Sequence, residues 1–213
     1  YLRYALSYRD LEEMLAERGL SVDHTTIYRW VQRYAPELEK RCRPHLKATT
    51  DSWRVDETYV KIKGIWTYLY RAVDSQGNTV EFHLSATRDA QAAKRFFAKA
   101  QGACHTMPPR VITVDKNAAY PKALRELKAT GIVSDRCELR RSKYLNNLIE
   151  QDHRFIKRLV KPGMGFFSFC TAWQTLRGYE AMNMIRKGQM QKVNKGDSPR
   201  QARFIAELFG VVV

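Results

Sequence analysis

The 213-residue chain predicts an α/β fold: a mixed five-stranded sheet with flanking helices, preceded by a small all-α region. Three observations predict it. Apolar residues recur at helical spacing up to about residue 34 and at strand spacing from residue 52. Three strand-like runs then follow one another across tight turns, after which helices and strands alternate. Residues 111–114 form a short apolar run, as a buried parallel strand reads.

Bulk composition narrows the function. Charged residues make up 28% of the chain and hydrophobic ones 44%, so the chain is globular and not disordered. The net charge is +15 and the pI about 9.8, which favours a polyanionic partner, nucleic acid first. The four cysteines, Cys42, Cys104, Cys137 and Cys170, form no C-x-x-C pair and no zinc-finger spacing with histidine. They read as reduced thiols in a cytosolic protein. No apolar run is long enough for a membrane span, and no signal peptide is visible. The sequence opens at Tyr1 in mid-pattern, as a fragment without its natural N-terminus would.

Taken in order, residues 1–38 predict a helix-turn-helix region, its start truncated. Ser7 and Asp10 form a capping box, Leu11, Met14 and Leu15 an apolar stripe, and Gly19 a left-handed stop. Leu20 and Val22 plug the corner. Asp23 caps a second helix that buries Ile27, Trp30 and Val31 and ends at Pro36. That leaves His24, Thr25, Thr26, Tyr28, Arg29 and Arg33 for solvent or a DNA major groove. Spacing alone serves a plain αα-hairpin equally well. Residues 39–51 read as a basic linker.

Residues 52–190 predict the sheet domain. Strands at 53–60, 65–73 and 79–84 make a meander with turns at Lys63-Gly64 and 74–78. A helix at 88–101 points Ala92, Phe96, Phe97 and Ala100 inward. The strand at 111–114 ends in Asp115, and a helix at 118–128 and a short strand up to Leu139 follow. The stretch 144–161 is an amphipathic helix. Leu145, Leu148, Ile149, Phe155, Ile156, Leu159 and Val160 form its apolar face, and Glu150, His153, Arg154, Lys157 and Lys161 share another. Residues 162–165 break it before a long helix at 168–190, in which Trp173 reads as core. Residues 191–213 form a tail with a short apolar helix. The order β-β-β-α-β-α-β-α is that of an RNase H-like, retroviral integrase-like sheet, and a right-handed crossover puts the fourth strand beside the first. Asp56 and Asp115 then become neighbours.

Phosphodiester chemistry with magnesium needs carboxylates converging from rigid elements. Asp56, Asp115 and Glu150 each lie on or just after such an element. Singly, they read as a strand-edge Asp, an N-cap Asp and a solvated helix Glu; in this order, with Lys157 seven residues after Glu150, they read as a site. Glu57 is expected on the opposite face of its strand and Asp74 in a turn. His153 suits orienting Glu150 or meeting the scissile phosphate, and a structural hydrogen bond at least as well. Trp66, Phe166, Phe167 and Trp173 suit stacking on flipped bases or on a partner subunit, though aromatic residues at such spacing are more often core.

Four motifs carry a family resemblance: residues 24–31 (HTTIYRWV), 53–59 (WRVDETY), 114–120 (VDKNAAY) and 146–154 (NNLIEQDHR). Together with the 34 residues between Asp115 and Glu150, they resemble bacterial insertion-sequence transposases of the DDE type, the IS-six family, along nearly the whole chain. The resemblance implies that Asp56, Asp115 and Glu150 are catalytic and bind two Mg²⁺, for which Mn²⁺ substitutes. It implies cleavage of transposon ends to free a 3′-OH, and transfer of that hydroxyl to target DNA. Lys157 and Arg154 would hold terminal phosphates, with Lys116 and Asn117 on the substrate side. Residues 7–34 would bind terminal inverted repeats, and pairing two DNA ends requires a homodimer or higher oligomer. Two other readings, a helix-turn-helix regulator with an inactive sheet domain and a simple RNase H-like nuclease, fit less of the sequence.

Overall fold

A computed structural model of the chain describes residues 1–142 and 146–211. The helices are α1 (Tyr8–Ala16), α2 (His24–Cys42), α3 (Ala90–Gln101), α4 (Ala119–Ala129), α5 (Asn147–Val160), α6 (Phe169–Arg186) and α7 (Ser198–Leu208). The strands are β1 (Ser52–Ile62), β2 (Ile65–Asp74), β3 (Thr79–Ser85), β4 (Val111–Val114) and β5 (Glu138–Arg141). Two compact units result. One comprises residues 47–60 and 66–154; the other comprises residues 1–46, 61–65 and 155 onward. No helix of the described residues is long and apolar enough to cross a membrane.

The first unit holds the sheet, in the order β3-β2-β1-β4-β5. This is the mixed RNase H-like arrangement: a meander of the first three strands, then two strands parallel to β1. Lys63 and Gly64 both have positive φ, 49° and 80°, the backbone of a two-residue turn whose twist matches paired strands. At the other end of β2, Asp74 is fully buried and accepts from the backbone N–H groups of Gln76, Asn78 and Thr50, so it is a turn residue as expected.

Alternation along the strands divides the sheet's two faces. Trp53 and Val55 of β1, Tyr70 and Ala72 of β2, and Ile112 and Val114 of β4 pack with α3 and α4 in one core. The predicted inward residues Ala92, Phe96, Phe97 and Ala100 are all buried there. Asp56 and Arg71 take the alternate positions and so leave this core for the other face. Parallel pairing of β1 with β4 matches Arg54 to Thr113. Two residues further along that register, Asp56 and Asp115 come level.

The helical unit corrects several sequence expectations. The Ser7–Asp10 capping box and the Asp23 cap are present, and Gly19 has φ +74°. Pro36 does not stop the second helix, however; α2 runs on to Cys42, so residues 39–42 of the expected linker are helical and 43–45 form a 3₁₀ turn. An interior proline costs roughly 3 kcal/mol of helix stability. The apolar stripe Ile27, Val31, Ala35, Leu38 and Cys42 continues past it and packs against α6. Arg177 of α6 adds hydrogen bonds to the Pro36 carbonyl and the Glu39 carboxylate. Trp30 is 47% exposed instead of buried, because the stripe passes through Ile27 and Val31 and leaves position 30 outside. Leu20 is exposed, and α1 buries none of its residues fully.

Further along, Trp173 is only half-buried, since Ala172, Leu176 and Tyr179 hold the inner face of α6. That helix ends at Arg186, and the tail's short helix is α7. The predicted helix 144–161 begins at Asn147; Tyr144 and Leu145 lie outside the described residues, as do Val212 and Val213 of the tail.

Candidate active site

Asp56, Asp115, Lys116, Asn146 and Glu150 line one cavity of about 370 Å³ in the sheet unit. Strand register brings the first two together. Oxygens of Asp56, Glu57 and Asp115 lie within 4.8 Å of one another. Glu150, exposed on the first turn of α5, faces the same cavity but does not belong to that group of three.

Glu57 points to the α3/α4 side as its alternation requires, yet its carboxylate approaches those of Asp56 and Asp115 near the strand end. Its side chain is only 1% exposed and is held by Arg88, whose Nε and Nη2 donate at 3.1 and 3.3 Å. Burial raises the pKa of Glu57, and Arg88 works against that rise. Arg88 Nη2 also donates to Asp115 Oδ2 at 3.1 Å, so one guanidinium bridges two acids. Asp115 Oδ1 accepts from the Asn117 backbone N–H, and Asn117 Nδ2 reaches Glu57 at 3.4 Å. Glu57 is thus committed to a buried ion pair, whereas Asp56 and Asp115 face the cavity.

On the opposite face of the sheet, His153 is buried and does not share the exposed stripe of α5. Its Nε2 lies 3.2 Å from Asp56 Oδ2, and Arg71 Nη1 lies 3.3 Å from its Nδ1. Arginine only donates, so Nδ1 is the acceptor and Nε2 carries the proton toward Asp56. Burial lowers the His153 pKa, which keeps the ring in this neutral form. Arg71 is itself fully buried, and its Nη2 is paired with Asp152 at 2.6 Å. A chain Asp152–Arg71–His153–Asp56 results. His153 therefore acts on Asp56, where the sequence suggested Glu150.

The two arginines went unread in the sequence, though each left a trace. Arg71 interrupts the apolar run Tyr68 to Val73, and Arg88 precedes a helix N-terminus, where a cation opposes the dipole. Asn146 is buried, and its Nδ2 reaches the Val55 carbonyl at 3.5 Å.

The remaining expected contacts are distributed more widely. Arg154 and Lys157 are exposed along α5, one and two turns after Glu150. Thr25, Tyr28, Arg29 and Arg33 are exposed on α2, with Thr26 half-buried. His24 is engaged: its Nδ1 lies 2.8 Å from Glu12 of α1. All four cysteines are unpaired. Chemically, two hard-oxygen carboxylates across a narrow gap and a third lining the same cavity form a donor set that fits a hard divalent cation.

A sheet of this order with acids at these places is the frame of a polynucleotidyl transferase. The DDE domain family matches residues 50–189. The chain is 44% identical over 187 residues to the transposase for insertion sequence-like element IS431mec of Staphylococcus aureus, covering 88% of this chain and 81% of that protein. Identity and coverage are the same with the transposase for insertion sequence element IS257 in transposon Tn4003, also of S. aureus. The chain belongs to the DDE-domain transposases of insertion sequences, the IS-six family, whose work is DNA transposition. It is also similar to the HTLV-2 integrase catalytic core domain in complex with magnesium, with 15% identity over 70% of this chain and 93% of that one, and a TM-score of 0.48.

Proposed function

We propose that Asp56, Asp115 and Glu150 are the catalytic carboxylates and that together they hold two Mg²⁺ ions, which Mn²⁺ can replace. The observation that carries this is the register of β1 on β4, which sets Asp56 and Asp115 side by side in the cavity that Glu150 also lines. When bound, such ions stabilise the attacking and leaving oxygens of an in-line phosphoryl transfer. The chain's own residues do the positioning. His153 orients Asp56 through its Nε2–H, and Arg88 and the Asn117 N–H orient Asp115. Lys116 lines the cavity where a scissile phosphate would bring negative charge.

In this reading the transposon end is cut to free a 3′-OH, and the same site joins that hydroxyl to target DNA. Residues 1–38 bind the terminal inverted repeats through Thr25, Thr26, Tyr28, Arg29 and Arg33, with His24 set by Glu12. Residues 52–190 form the catalytic domain. Arg154, Lys157, Lys116 and Asn117 contact the end phosphates. The protein works as a homodimer or higher oligomer, because two ends must be joined at once, and acts at the bacterial nucleoid.

The test is strand transfer of a 3′-OH transposon-end duplex into plasmid with Mg²⁺ by full-length protein. Wild type is expected to yield joined products, and Asp56→Asn, Asp115→Asn and Glu150→Gln to lose them while still binding end DNA. Nicking without joining, or transfer by Asp115→Asn at the wild-type level, overturns the mechanism.

A further inference from the structure

Two short segments of the helical unit meet at Ile62 and Phe166. The Phe166 N–H donates to the Lys61 carbonyl and the Lys63 N–H donates to the Phe166 carbonyl, both at 2.8 Å. The turn leading into this contact is tightly specified. Met164 has φ +52° and Gly165 φ +117°, and a Cβ on Gly165 would sit 2.9 Å from the Lys61 carbonyl oxygen. Ladder bonds on both sides therefore fix the backbone.

What this backbone presents is unusual for a surface. Met164 and Phe167 are each 89% exposed and Ile65 is 71% exposed. Isolated exposed apolar residues are ordinary; three large ones on two pinned turns are not. Around them Lys61, Lys63, Lys157, Arg158 and Lys161 are all exposed, and neither 59–67 nor 155–167 contains an acidic residue. Self-association through a two-fold axis would press this cationic surface onto itself, whereas a polyanion neutralises it.

We propose that the joined turns 61–65 and 161–167 form a further DNA-contacting surface, continuous with the helix-turn-helix region, since Gly165, Phe166 and Phe167 line one pocket with His24, Thr25 and Tyr28. Lys61, Lys63 and Lys161 meet phosphates of a duplex, and Phe167, Met164 and Ile65 wedge against an opened base step. The inference rests on the DNA-transposition reading for its choice of duplex DNA, and on the pinned, cation-ringed apolar tip for its location.

The test uses full-length protein and a short duplex carrying 2-aminopurine. Lys61→Gln combined with Lys63→Gln is expected to reduce the slope of log affinity against log salt by about 2, close to one per phosphate contact. Met164→Ser combined with Phe167→Ser is expected to abolish the 2-aminopurine fluorescence rise and to weaken binding roughly 5- to 100-fold, the range of lost base stacking. Phe167→Trp should retain both. An unchanged slope together with unchanged fluorescence overturns the proposal. So does a fall in oligomeric state on sedimentation with DNA affinity preserved, which would assign the surface to a second copy of this chain. Should wild type bind DNA through these residues yet fail strand transfer, the catalytic reading falls and this surface stands.

Discussion

His153 donates its Nε2 proton toward Asp56 Oδ2, 3.2 Å away, and a buried arginine behind the ring fixes that proton's position. An acid held by a donor of one orientation keeps its other oxygen available for the cavity. His153→Ala is expected to lower the strand-transfer rate about 10- to 100-fold, as losing a support behind a site ligand does elsewhere. DNA affinity should not change. His153→Gln, whose amide can donate from near the same point, should recover part of the rate. An equal loss in rate and in DNA affinity for both variants would mean that the ring serves only the fold.

Arg88 joins Glu57 and Asp115, and Glu57 is the deeper of the two acids. Arg88→Ala leaves a buried carboxylate without its partner, so stability at neutral pH should fall by about 2–4 kcal/mol. Burial holds the Glu57 pKa above its unfolded value, so the folded form binds the extra proton. The variant's deficit should therefore shrink as the pH falls toward 5 and grow toward 8. Urea unfolding across that range checks the sign. Adding Glu57→Gln to Arg88→Ala should restore most of the lost stability.

His83 gives a second pH signature with the opposite sense. Burial, together with Lys99 and Arg95, pushes its pKa down to about 4. The unfolded chain then takes up the proton first, so stability is full above about pH 6.5 and declines as the pH falls toward 4. The ring is only half-buried, which discounts the loss to about 1–2 kcal/mol. The urea midpoint of His83→Gln should show that much less dependence on pH than wild type. Parallel profiles for the two would refute the assignment.

Gly178 looks like a defect in the long helix α6, where replacement by alanine ordinarily adds about 1 kcal/mol of stability. Here an added Cβ would stand 2.5 Å from the Ala35 Cβ and 2.8 Å from Leu2 Cδ2. Gly178→Ala is accordingly expected to destabilise by about 1–3 kcal/mol, the usual penalty for overpacking. A rise in melting temperature would show that α2 and α6 can move apart freely.

That Asp56, Asp115 and Glu150 come to one cavity was legible because each breaks the local pattern on or just after an element, and periodicity survives in sequence. Asp115 closes the strand 111–114 and Glu150 sits on an otherwise cationic stripe. Their partners were not legible, because a partner is set by register across strands. Nothing local to Arg71 says that residue 153 lies 3.3 Å away. Pro36 misled for a related reason: its local preference is real, but the buried contact of α2 with α6 outweighs it. His153 and Trp173 show the same limit from opposite sides. One was buried by a partner beyond its helix, and the other was left half out by better-placed neighbours.

The chain passes between its two compact units at residues 46–47, 60–61, 65–66 and 154–155. Only the first passage lies in a loop; the others fall inside β1, inside β2 and inside α5. No cut there yields a clean graft. Swapping the sheet unit between related enzymes would splice two strands and a helix in mid-run, with their hydrogen-bond ladders interrupted. A join at residues 46–51, ahead of the first strand, would spare those ladders, but a transplanted 1–46 would have to carry an α2 face that fits the host's α6, with which it packs.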